Sequence, residues 1–305
     1  MNWKKISLYI LFTFAFSWTV ALVMTLIHLD MGTSAGKACI AMFYMPAPAL
    51  VTFILQKFIY KESFTQYGWT FDRKAILHLL FAPLAFLALT LLTFAIILLL
   101  GNTHLAPVLG QVDLSQEHFV LKIREIVGTT LGSKKVHMPG IPAYLIFIVM
   151  LVEGIVAGAT VNLPFTFGEE LGWRGLLLWE TRQLGFIKAN VFIGLVWGIW
   201  HWPVILMGLN YPHHPYLGIL MMILSTISMS PLFAYVRIKT RSILGSCMLH
   251  GMVNATGAMY VLFIANGNEF FSSIAGWAGI AAGVVLTICI VLFDKKFAAE
   301  YTTVA

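Results

Sequence analysis

Two adjacent carboxylates, Glu169 and Glu170, are followed by Arg174 in a stretch that is otherwise almost wholly apolar. Leu163-Pro-Phe-Thr-Phe-Gly precedes them and Gly175-Leu-Leu-Leu-Trp follows. Burying a carboxylate in such surroundings costs several kcal/mol even after relaxation, so a chain that carries two there has a use for them. On a helix Glu170 and Arg174 are four apart and share a face, so the guanidinium can neutralise and orient that carboxylate. Glu169 points about 100° away and is left for another partner. One held and one available carboxylate suit general-base chemistry; a buried ion pair that fastens helices together is the alternative.

Two further polar groups lie deep in apolar runs. His201 stands in Trp197-Gly-Ile-Trp-His-Trp-Pro203, and taken alone it reads as a core histidine bonded to a carbonyl. His250 and Asn254 are four apart in Leu249-His-Gly-Met-Val-Asn-Ala and face one direction. Two donors aimed at one point are the form an oxyanion hole takes, whereas a hydrogen bond between helices is the bland reading. A base, an imidazole and a donor pair at one place would activate water and stabilise a tetrahedral oxyanion. Glu169, His201 and His250 are also a conceivable three-ligand zinc set with a fourth position open, although no His-Glu-x-x-His occurs.

Composition says what must position these groups. Of 305 residues 59% are hydrophobic and 10% charged, against about 25% charged in ordinary soluble domains. The chain reads as an all-α, polytopic transmembrane bundle and one integral membrane domain over 1–305. Its net charge of +6 is a matter of membrane topology, with no nucleic-acid partner. Cys39, Cys247 and Cys289 have no ligand-like spacing and read as core residues. Runs of about 20 apolar residues fall at 6–28, 38–60, 75–100, 141–179, 188–208, 217–236, 242–264 and 275–293, about eight spans with both termini on one side.

With that side cytoplasmic, the 19 Lys and Arg divide strongly. Inside are Lys4, Lys5, Lys57, Lys61, Arg73, Lys74, Arg174, Arg182, Lys188, Arg237, Lys239, Arg241, Lys295 and Lys296. Outside are Lys37, Lys122, Arg124, Lys134 and Lys135, a positive-inside pattern. Counted at 1.5 Å per residue, Glu169 lies roughly 16 Å from Glu180, His201 about 20 Å from Lys188 and His250 about 13 Å from Arg241. Three spans therefore bring polar groups to similar depth, and one chamber, open to the cytoplasmic leaflet, is expected around them.

Smaller features fill in the plan. Pro164 is expected to break or kink the long 141–179 run, and Pro46 with Pro48 to kink the second span. Gly168 with Gly172, and Gly194 with Gly198, are small-xxx-small pairs that would let the carboxylate and His201 spans approach. In the long loop from Gly101 to Gly140, Phe119, Ile123 and Ile126 recur at helical spacing and suggest a helix on the membrane surface. Glu153 reads as a snorkelling or hydrogen-bonded carboxyl, with support of the site or its pathway as the alternative, His213-His214 as an outer turn rather than a metal site, and His78 as interfacial.

Glu-Glu-x-x-x-Arg at 169–174, aromatic-x-x-x-His at 197–201 and His-x-x-x-Asn at 250–254, in that order, resemble the CAAX-processing and bacteriocin-processing (CPBP, or Abi) family of intramembrane proteases. The resemblance covers about 140–260, which would be the catalytic core. It implies Glu169 as general base, Glu170 and Arg174 as its support, His201 as holder of the water, and His250 with Asn254 as oxyanion stabilisers. The second motif usually begins with Phe; Trp197 here reads as packing. The family is labelled metalloprotease yet also described as glutamate-dependent and metal-free, and the metal-free form is expected, with zinc the alternative. Substrates would be membrane-associated peptides, lipidated (CAAX-like) or bacteriocin-like, met in the lipid bilayer of a bacterial plasma membrane. A non-enzymatic immunity or scaffold protein and a proton-coupled transporter are the rival classes; the absence of an internal repeat argues against the transporter.

Overall fold

A computed structural model describes residues 1–69, 77–131 and 140–303; Arg73, Lys74, Lys134 and Lys135 lie outside the described residues. The protein is an all-α, multi-pass membrane bundle. Four helices are long and apolar enough to cross a membrane unaided: α1 (Trp3–Leu26), α2 (Ser34–Tyr60), α3 (Leu77–Leu100) and α9 (Pro215–Lys239). Two bent pairs add to these. Helix α5 (Ala143–Ala159) meets α6 (Leu163–Leu184) at 62°, and α12 (Trp277–Phe293) meets α13 (Phe297–Thr303) at 96°.

The expected spans at 188–208 and 242–264 are shorter and interrupted. The first is α7 (Phe186–Trp200) plus α8 (Trp202–Leu206), and the second is α10 (Ile243–Ala255) plus α11 (Gly257–Leu262). His201 and Thr256 occupy the breaks. Within the 101–140 loop lies α4 (Gln116–Leu131). Its Phe119 is not laid on a membrane surface: it is buried and stacks on Phe263 with ring centroids 5.7 Å apart.

Proline chemistry sets the breaks. Pro164 takes the first turn of α6, where its missing N–H costs nothing, and the chain turns through 160–162 just before it. In α2, π-helical turns at Ile40–Tyr44 and Leu55–Tyr60 flank an α segment that begins at Pro46-Ala47-Pro48. The break before α6 is stitched to α10: Asn162 Nδ2 donates to the Gly251 carbonyl at 2.9 Å and Thr166 Oγ1 to the Cys247 carbonyl at 2.9 Å. Helix α10 thus sits among α3, α5, α6 and α9 at the centre of the bundle.

The glycine pairs act, but on other neighbours than expected. A methyl built on Gly194 would lie 2.5 Å from Ile227 Cα, and one on Gly198 2.6 Å from Ile223 Cα, so α7 is pressed against α9. Gly168 instead receives the α2 backbone at Met45 and Pro46, and Gly172 the Tyr9 hydroxyl of α1.

Both chain ends meet at one end of the bundle. The Asn2 amide donates to Glu180 Oε2 at 3.1 Å, and Lys5 Nζ pairs with Glu62 at 2.7 Å and Glu180 at 3.3 Å. The Lys5 ammonium beside it holds the Glu62 carboxyl below its ordinary range. On α13, Tyr301 accepts from Asn190 Nδ2 at 3.2 Å. The opposite end is capped by loops 101–116 and 263–276, joined by the antiparallel pair β1 (Gln111–Val112) and β2 (Ile264–Ala265) and by Ser272 Oγ on the Leu109 carbonyl at 2.9 Å.

Candidate active site

Glu169 and Glu170 end the first α-helical part of α6, and a π-helical stretch, Leu171–Leu177, carries Arg174. Arg174 Nη1 donates to Glu170 Oε1 at 3.0 Å, four residues apart, with both side chains fully buried. The same oxygen accepts from His250 Nδ1 at 2.9 Å. His250 is therefore tied to Glu170 on one ring nitrogen, where a donor pair with Asn254 alone was expected. Arg174 is flanked by the rings of Trp197 and Phe233, its guanidinium carbon 4.4 and 4.6 Å from their centroids. A desolvated guanidinium between aromatic faces keeps a favourable contact where a hydrogen bond is missing.

Glu169 is buried and not free. Its Oε2 accepts from Trp197 Nε1 at 2.9 Å and Trp173 Nε1 at 3.4 Å, while Oε1 has no protein partner among the described residues. Trp197, read from sequence as packing, is thus the group that aims the carboxylate. A buried indole N–H needs an acceptor, and Trp in place of Phe was the signal available in the sequence.

His201 stands at the end of α7, where α1 and α2 fix the chain. Trp200 Nε1 donates to Ser17 Oγ at 2.8 Å, and the Trp200 carbonyl accepts from Trp18 Nε1 at 3.2 Å and from the Tyr44 hydroxyl. His201 Nδ1 lies 2.9 Å from the Trp197 carbonyl. A carbonyl only accepts, so Nδ1 carries the hydrogen, and the neutral ring presents Nε2 as an acceptor.

Glu169, His201, His250 and Asn254 line one cavity of about 1060 Å³. Asn254 has no hydrogen-bond partner among the described residues, so its amide is available there. Of the residues on the side toward the chain termini, Phe233 lines the cavity, and Trp173, Arg174 and Leu177 are fully buried outside its lining. From the site the cavity runs the other way, to a mouth formed by Asn210, His213, His214, Lys122, Glu269 and Ser273. His214 Nδ1 lies 3.2 Å from Glu269 Oε1 there. Among the described residues, no loop residue lines the cavity at the end that carries the termini and most of the basic residues, the end at which an opening was expected. Glu153 is exposed on α5, away from this site, and His78 is exposed at the start of α3.

Zinc would require about three ligands with one position left open. Among the described residues no three His, Cys, Asp or Glu side chains are arranged to hold a metal, the set Glu169, His201 and His250 included. As placed here they do not form such a site, and no step below passes through a metal.

Residues 139–256 match the family model described as type II CAAX prenyl endopeptidase Rce1-like. A protein of Methanococcus maripaludis, described as CAAX prenyl protease 2, is 28% identical over 143 residues, which is 44% of this chain and 48% of the relative. The chain thus spans about half the length of the curated relative it matches. The matched segment contains Glu169, Glu170, Arg174, His201, His250 and Asn254.

Proposed function

We propose, from the match of residues 139–256 to the type II CAAX prenyl endopeptidase Rce1-like model and the geometry of the site, that this membrane protein is an endopeptidase that hydrolyses a peptide bond with glutamate-activated water. The observation that carries the reading is the asymmetry of the two carboxylates. Glu170 is consumed by Arg174 and His250, whereas Glu169, aimed by two indole N–H groups, keeps one oxygen for the cavity.

Water held between Glu169 Oε1 and His201 Nε2 gives a proton to Glu169 as its oxygen attacks the scissile carbonyl carbon. The developing oxyanion is met by the Asn254 amide and by Nε2–H of His250, whose charge Glu170 balances. Glu169 returns the proton to the leaving nitrogen as the C–N bond breaks, and the carboxylate is restored. The substrate class is a membrane-associated peptide with an apolar or lipidated segment, since the walls below the mouth are largely apolar, with Val204, Leu217, Met222 and Met229 among them.

Cleavage of a reporter peptide by purified protein in detergent tests this. Glu169→Gln keeps the shape but cannot take a proton, and the loss should exceed the ~10²- to 10⁴-fold typical of general-base removal. Asn254→Ala should cost about 10²- to 10³-fold, as for one oxyanion donor. Full activity of the Gln variant removes Glu169 as base. Activity lost to a chelator and restored by zinc would make Glu169 a ligand instead. If no peptide is cut, and the Gln variant still protects cells from a membrane-active peptide, the binding or scaffold reading replaces this one.

A further inference from the structure

We infer that the cavity takes its substrate from the extracytoplasmic face of the membrane, which would make the substrate a peptide segment exposed on that side. The inference rests on the protease reading for what is cut, but its geometry stands apart from it. Trp173, Arg174, Leu177 and Phe233 are fully buried on the side of Glu169 toward the termini, no described loop of that end lines the cavity, and its mouth is built from loop residues of the end opposite both chain termini.

Charge says which end is which. Setting aside Arg174 and the four residues outside the described set, fourteen of the 19 Lys and Arg remain. Eleven lie at the end with the termini; Lys37, Lys122 and Arg124 lie at the mouth end. Basic residues are retained on the cytoplasmic side during insertion, so the termini are cytoplasmic and the mouth is not. A lipidated tail made and kept in the cytoplasm would face the end at which no described loop lines the cavity. A translocated peptide, or the outer juxtamembrane stretch of a membrane protein, faces the opening. The rim fits such a segment: Lys122, His213, His214 and Glu269 offer polar contacts at the water boundary, and the walls below become apolar.

The test uses the full chain in a Cys39→Ser, Cys289→Ser background, because both thiols are partly exposed. His213→Cys and Ser273→Cys report the mouth, and Lys295→Cys reports the opposite end. A membrane-impermeant maleimide should label the mouth cysteines in intact cells and Lys295→Cys only in inverted vesicles. The reverse pattern, or mouth cysteines that react from neither side until the protein is denatured, overturns the inference. A membrane-anchored reporter with its scissile segment outside should be cut at least 10-fold more than one with the segment inside, and Glu169→Gln should abolish the cut. Glu169-dependent cleavage of the inner reporter overturns the access inference and leaves the protease reading standing. Labelling from outside with no Glu169-dependent cleavage at either face does the opposite.

Discussion

Oε1 of Glu170 accepts from Arg174 at 3.0 Å and from His250 at 2.9 Å, with no water-exposed atom to share the load. Arg174→Ala would leave that carboxylate buried beside only an imidazole, and breaking a fully buried pair costs about 3–5 kcal/mol. A sharp fall in folded yield and in the thermal midpoint in detergent is expected, with Arg174→Lys recovering part of both. Wild-type stability of the Ala variant would contradict the role given to Arg174. Trp197→Phe asks a finer question. The ring stays over Arg174, but the hydrogen bond to Glu169 is lost, and a bond to a charged group contributes ~1.5–3 kcal/mol. The thermal midpoint should fall accordingly, and if that bond aims the base, kcat of the protein that remains folded falls on the order of 10- to 100-fold as well. The Glu170–Arg174 bridge was legible in the sequence because helical period alone puts residues four apart together. The bond from Trp197 was signalled only by Trp standing where Phe is usual, which names a spare N–H but not its acceptor.

Among the elements, the contact of α7 with α9 positions His201, and it depends on two glycines whose spacing is visible but whose neighbour is not. Small-xxx-small spacing shows that a backbone approaches; it carries no information on which one. The carboxylate helix was the natural guess, and α9 is what the fold supplies, through Ile223 and Ile227. Gly194→Val should therefore push α7 off α9. Overpacking of this kind costs about 1–3 kcal/mol or more where backbone blocks the new atoms. A lowered thermal midpoint is expected together with lost cleavage, since the far end of α7 carries His201. Unchanged tryptophan fluorescence and activity would show the contact to be slack. The break before α6 was readable from Pro164, whereas its stitching to α10 through Asn162 and Thr166 joins residues more than 80 apart in the chain. No local pattern announces such a contact.

For the whole molecule, hydropathy marked the apolar segments, and counting residues from the charged end brought Glu169, His201 and His250 to one level, in keeping with the single cavity they line. It could not say which way the chamber opens. Depth is a one-dimensional quantity, and the side toward the termini is filled by Trp173, Leu177 and Phe233 from two different helices. The interruptions at His201 and Thr256 escaped for a related reason: apolar composition continues across them, so only the backbone reveals them.

The size of the cavity has a consequence for the thermodynamics of its filling. A volume of about 1060 Å³ holds on the order of a few tens of water molecules. Those beside apolar walls are poorly held and are released with a gain when a peptide takes their place. Water activity then becomes a reactant in binding. Raising osmolality with a neutral solute too large to pass the mouth should lower KM progressively, with a log-linear slope that counts the expelled waters, and leave kcat nearly unchanged. A flat KM would mean that the peptide enters without emptying the chamber.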